Sequence, residues 1–146
     1  MGVKIFKAVW FLSMLVTLAN LLYVYAGLPQ TVTMLQEGPR ATTISREVFF
    51  YAAAGVVALV NGMVYLVAFV YRDDADFRAW FHGLIITLNI FFVIAMNFVG
   101  LYNSGERFDY GRIHFIVYGS IALFLLWALG WPVYRVIRRI NSKQPV

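Results

Sequence analysis

Asn20, Asn61 and Asn89 each fall near the middle of a long apolar stretch, where an amide can bond only to another protein group or to a ligand. Asn97, His82 and His114 are further groups in or beside these stretches that can donate, accept or ligate. Two kinds of chemistry suit such a set: binding a small ligand at membrane depth, or bonding one helix to another. A haem or metal is not expected. His82 lies about one turn into its stretch from one end, and His114 lies at the opposite end of the next, so about 30 Å of hydrocarbon separates them. His82 and Asn97 remain as contacts for a ligand or a partner. The chain has no cysteine, hence no thiolate nucleophile, iron–sulfur cluster or Cys-based zinc site. It has no HExxH, no Ser-His-Asp set at one depth and no phosphate-binding Gly loop. Asp73, Asp74 and Asp76 cluster, but without EF-hand spacing or its turn glycine. They read as a helix N-cap with Arg72 and Arg78 as local partners. The expectation is a protein that is not an enzyme and carries no cofactor.

These residues must be positioned by membrane helices. Of 146 residues, 62% are hydrophobic and 13% charged, against roughly 45–50% and roughly 25% in a soluble domain. A fold this small cannot hide so much apolar surface from water. Four runs, at about 5–28, 48–71, 79–101 and 113–134, reach the roughly 20 residues a spanning helix needs. Segments such as Ile85–Ile86 and Phe91–Ile94 do not alternate in polarity as barrel strands do. The first run is longer than a signal-peptide core of about 7–15 residues and reads as a retained span. The fold expected is all-α: an integral membrane four-helix bundle, one domain over 1–146.

Orientation follows from charge. One side collects Lys4, Lys7, Arg72, Arg78, Arg135, Arg138, Arg139 and Lys143, and the other Arg40, Arg46, Arg107 and Arg112. Cytoplasmic loops accumulate Lys and Arg, so both termini are expected in the cytoplasm. Trp10, Tyr71, Trp80, Trp131 and Tyr134 then fall at the inner edge, and Tyr23, Tyr25, Tyr51, Tyr102 and Tyr110 at the outer. The compact loops suit a bacterial inner membrane.

Between the first two spans, Pro29, Gly38 and Pro39 are expected to stop regular structure, and Ser45 to cap the second helix. The short 72–78 turn makes spans two and three an antiparallel hairpin. The second outer loop offers Tyr102, Arg107, Asp109, Tyr110 and Arg112, a mixture that docking surfaces favour. Pro132 can kink the fourth helix near its end. The basic amphipathic tail 135–146 is expected to lie along anionic lipid headgroups, each basic residue gaining about 1 kcal/mol. Membrane anchoring is favoured over a nucleic-acid role.

No Asp, Glu, Lys or Arg occupies the centre of any span, which argues against proton pumps, ion-coupled transporters and voltage sensors. Ala54, Ala58 and Gly62 form a small-xxx-small series beside Asn61, expected to face inward and admit a neighbouring backbone. The leading expectation is a structural or accessory subunit packed against other membrane subunits or itself. The second is a small homo-oligomeric channel or carrier for a neutral or lipid-like ligand, using Asn20, Asn61 and Asn89 as a midplane layer.

Overall fold

The computed structural model describes residues 2–106 and 109–141. Its helices are α1 (Gly2–Gly27), α2 (Arg46–Val70), α3 (Ala75–Tyr102) and α4 (Tyr110–Asn141), with a hairpin of β1 (Thr31–Glu37) and β2 (Arg40–Ser45) between α1 and α2. All four helices are long and apolar enough to cross a membrane. At about 1.5 Å per residue the shortest, 25 residues, already exceeds the roughly 30 Å of hydrocarbon. Two starts are capped as their sequences imply. Ser45 Oγ accepts from the Val48 N–H (3.2 Å), and Asp74 Oδ1 accepts from the Phe77 N–H (2.8 Å).

Helix α3 is the axis. Helix α1 packs along it in parallel, α2 wedges against both, and α4 packs almost entirely against α3 alone. The result is a three-helix unit with an outrigger rather than a closed ring of four. Two apolar clusters fill the unit. One, at the hairpin end, contains Leu21, Val24, Leu28, Val32, Phe49 and Met96, and the other, at the basic end, contains Trp10, Val64, Phe81 and Ile85. Trp10 therefore does not sit in an interfacial belt. It is buried, because its indole N–H has a partner inside.

The α3–α4 contact has its own device. Trp80 Nε1 donates to the Trp127 carbonyl and Trp127 Nε1 donates to the Trp80 carbonyl, both at 2.9 Å. Gly83 makes room for this exchange, since a Cβ there would overlap the Trp127 ring.

The β-hairpin corrects the sequence reading of an irregular loop. Gly38 and Pro39 do not end regular structure; they are the two-residue turn around which Glu37 pairs with Arg40, and Gly38 takes φ +60°. Such turns ask for glycine at the first central position. The flanking Thr-Val-Thr and Ala-Thr-Thr-Ile runs suit extended backbone. Val32 is fully buried over the helix ends. Asn103, beyond the end of α3, grips β1 by accepting from the Thr33 N–H (2.7 Å) and donating to the Thr33 carbonyl (3.1 Å).

Helix α4 also runs past its expected end near residue 134, through Pro132 to Asn141. A proline removes one backbone bond, and the turns on either side still carry the helix. The basic segment from Arg135 is thus a continuation of α4 rather than a separate tail; residues 142–146 lie outside the described residues.

Candidate functional site

The polar groups of the spans meet along the seam between α1, α2 and α3. Asn61 and Asn89 form a reciprocal amide pair: Asn61 Nδ2 donates to Asn89 Oδ1 (2.9 Å) and Asn89 Nδ2 to Asn61 Oδ1 (3.0 Å). Asn61 also accepts from Trp10 Nε1 (2.9 Å) and donates to the Val57 carbonyl (2.9 Å). Asn89 further donates to Ser13 Oγ (2.9 Å), and its backbone carbonyl accepts from Thr17 Oγ1 (3.4 Å). Asn61 thereby uses both amide hydrogens and both acceptor positions of its oxygen. Asn61, Asn89 and Thr17 are buried.

The three asparagines of the expected layer are not all brought together. Asn20 stands nearer the hairpin end, where its Oδ1 accepts from Asn97 Nδ2 (2.8 Å) and its Nδ2 reaches the Val93 carbonyl at 3.5 Å. Asn97 also donates to that carbonyl (2.8 Å) and is exposed. The amides form a ladder with two rungs, because Ser13 and Asn20 lie two turns apart on α1 and Asn89 and Asn97 two turns apart on α3. Between the rungs runs a 220 Å³ groove past Ser13, Thr17 and Asn89 whose other walls are Val16, Ile90, Val93 and Ile94.

His82 is buried on α3, one turn from Arg78. Its Nδ1 lies 2.6 Å from the Arg78 carbonyl. A carbonyl only accepts, so Nδ1 carries the proton. The ring packs edge-on against Trp10 at 5.7 Å. His114 is held among Phe98 and Tyr118 at the far end of α4.

The small-residue stripe on α2 is turned differently from expectation. Ala54 is half-buried against the core, but Ala58 and Gly62 are exposed, and nothing lies within 4 Å of where a Cβ on Gly55 or Gly62 would stand. Phe49, Val57, Asn61 and Val64 take the inward face instead. Bulk and the amide's demand for partners set the rotation of this helix; small residues alone do not.

The loop between α3 and α4 is used largely for its own ends. Asp109 accepts from the Gly111 N–H (3.1 Å) and pairs with Arg112 (3.5 Å) at the start of α4, both side chains exposed. Tyr102 stacks on Phe98 at 6.3 Å, Tyr110 is the first residue of α4, and Arg107 lies outside the described residues.

Sequence reasoning missed Trp10 as a member of the seam and Gly83 with Trp127 as a contact. The first was within reach, since Trp10 lies three residues before Ser13 and seven before Thr17 and so shares their face. No protein family, characterised protein or solved structure matches the chain, so its own geometry must carry the functional reading.

Proposed function

We propose that the protein is a non-catalytic structural or accessory subunit of a membrane protein assembly, with its basic end towards the cytoplasm of a bacterium. One observation carries this reading. The midplane amides are turned towards one another, while a stripe of small residues on α2, Gly55, Ala58 and Gly62, is exposed, and among the described residues nothing lies within 4 Å of a Cβ at Gly55 or Gly62. Between membrane helices, apolar side chains gain nothing over lipid, and association depends on close backbone approach at small residues. A channel or carrier would instead need Asn61 free to meet its cargo, and Asn61 has no unused donor or acceptor.

The chain lacks cysteine, so Ala58→Cys introduces a unique thiol. Oxidation in native membranes should give a discrete crosslinked product with a neighbour that carries a thiol, including a second copy. Gly62→Leu should shift the mildly extracted particle towards lower mass while leaving its helicity and melting temperature unchanged. Wild-type protein that emerges only as a lone monomer from several mild detergents would contradict the proposal.

A further inference from the structure

At the basic end, the extension of α4 and the first turns of α3 enclose a furrow in two connected parts. The outer part, 540 Å³, is lined by Arg135, Arg138, Arg139, Trp131, Tyr134 and Asp74, together with Val136. The second part, 380 Å³, shares Trp131 and Tyr134 and continues along Trp80, Ala79 and Gly130, with Asp76 at its edge. Nothing lies within 4 Å of a Cβ built on Gly130, so this part is open along the helix.

Charge is sorted along the furrow. The outer part holds three guanidiniums against one carboxylate, and that carboxylate is already engaged, Asp74 Oδ2 meeting Arg135 at 3.4 Å. Arg135 also lies over the Trp131 ring at 5.6 Å, which fixes its place between the acid and the aromatic wall. Trp80 and Trp131 stack at 5.9 Å and floor the other part with flat apolar surface. Tryptophan and tyrosine mark the headgroup level of a bilayer, and guanidinium groups bind phosphate oxygens with paired donors. The order from the water side inward is therefore phosphate-binding groups, amphipathic rings, then a mostly apolar slot with Asp76 at its rim. That is the order of an anionic phospholipid's own parts.

We infer that this furrow is a binding site for the phosphate headgroup of an anionic phospholipid, with Arg138 meeting the phosphate, Arg135 and Arg139 flanking it, and Trp80 and Trp131 lying along the start of an acyl chain. The inference does not depend on the subunit role proposed above. It differs from a basic helix resting on a charged surface in requiring one particular place and a saturable stoichiometry.

The test is native mass spectrometry of the delipidated full chain in mild detergent, titrated with short-chain phosphatidylglycerol, phosphatidylcholine or inorganic phosphate. One phosphatidylglycerol should bind with preference over phosphatidylcholine, and inorganic phosphate should compete only weakly. R138Q/R139Q should lower that affinity roughly 10- to 30-fold. K4Q/K7Q, which removes two positive charges from the first turns of α1 that line neither part of the furrow, should leave it within about twofold. A far-ultraviolet spectrum and melting curve establish that each variant is folded. Equal losses in the two double variants, or equal binding of the two lipids, would overturn the site. Inorganic phosphate competing as well as the lipid would overturn the lipid assignment in favour of a soluble phosphate compound.

Discussion

Replacing Asn61 and Asn89 with leucine, singly and together, tests the amide seam directly. In Asn61→Leu, Asn89 loses both reciprocal bonds, and Trp10 loses the acceptor for its buried indole N–H. In Asn89→Leu, Asn61 loses the same two bonds and Ser13 loses a donor. Bonds between membrane helices average about 0.6 kcal/mol each, with an upper value near 1.7. A buried polar group left without a partner adds a penalty of roughly 1–3 kcal/mol. With three interhelical bonds lost and one amide orphaned, each single change should therefore cost about 3–5 kcal/mol. The double change removes the orphaned amide along with its partner, so it should cost about 1–3 kcal/mol less than the two singles added together. The measurement is a reversible sodium dodecyl sulfate titration in mild micelles, followed by helical ellipticity, for the wild type and three variants. Strict additivity, within about 0.5 kcal/mol, would mean that the two amides do not depend on each other and would refute the pairing.

Two further outcomes follow from individual contacts. Gly83→Ala places a methyl group in the Trp127 ring and should cost roughly 1–3 kcal/mol with a shift in tryptophan emission, whereas Gly130→Ala, which meets open space, should be neutral or stabilising; equal effects would remove Gly83 from the contact. Asn103→Ala should speed amide hydrogen exchange across residues 31–45, Thr33 above all, with little change in the exchange of α1–α3; unchanged protection would show that the Asn103 grip contributes nothing to holding the hairpin.

The spans were legible because their signal is thermodynamic: a run of some twenty apolar residues has one stable place, and the helix positions agree with the sequence estimate at most ends. Ser45 and Asp74 were legible for a similar reason, since a capping side chain acts within its own turn. The hairpin was not read, although Thr31–Ser45 carries the β-branched residues of strands around a Gly-Pro turn. Two prolines and a glycine in one loop weigh towards irregular chain when the competing pattern is short. The rotation of α2 was misjudged for a deeper reason. A stripe of small residues marks a face suited to close contact, but not whether the neighbour belongs to the same chain. The burial of Phe49, Val57 and Val64 and the requirement that Asn61 meet Trp10 and Asn89 together turn Ala58 and Gly62 outward.

The dependence of α4 on a single neighbour bears on how the protein is made. The first three segments can bond their amides and close their apolar clusters before the last one leaves the ribosome, because Trp10, Asn61 and Asn89 all precede it. The fourth then packs on a surface already formed, its register marked by Gly83, the exchanged Trp80 and Trp127 indole bonds and the Trp80–Trp131 stack. Assembly in order of synthesis thus leaves the side chains of Trp10, Asn61 and Asn89 bonded before the fourth helix arrives, while the Trp80 indole N–H waits for the Trp127 carbonyl.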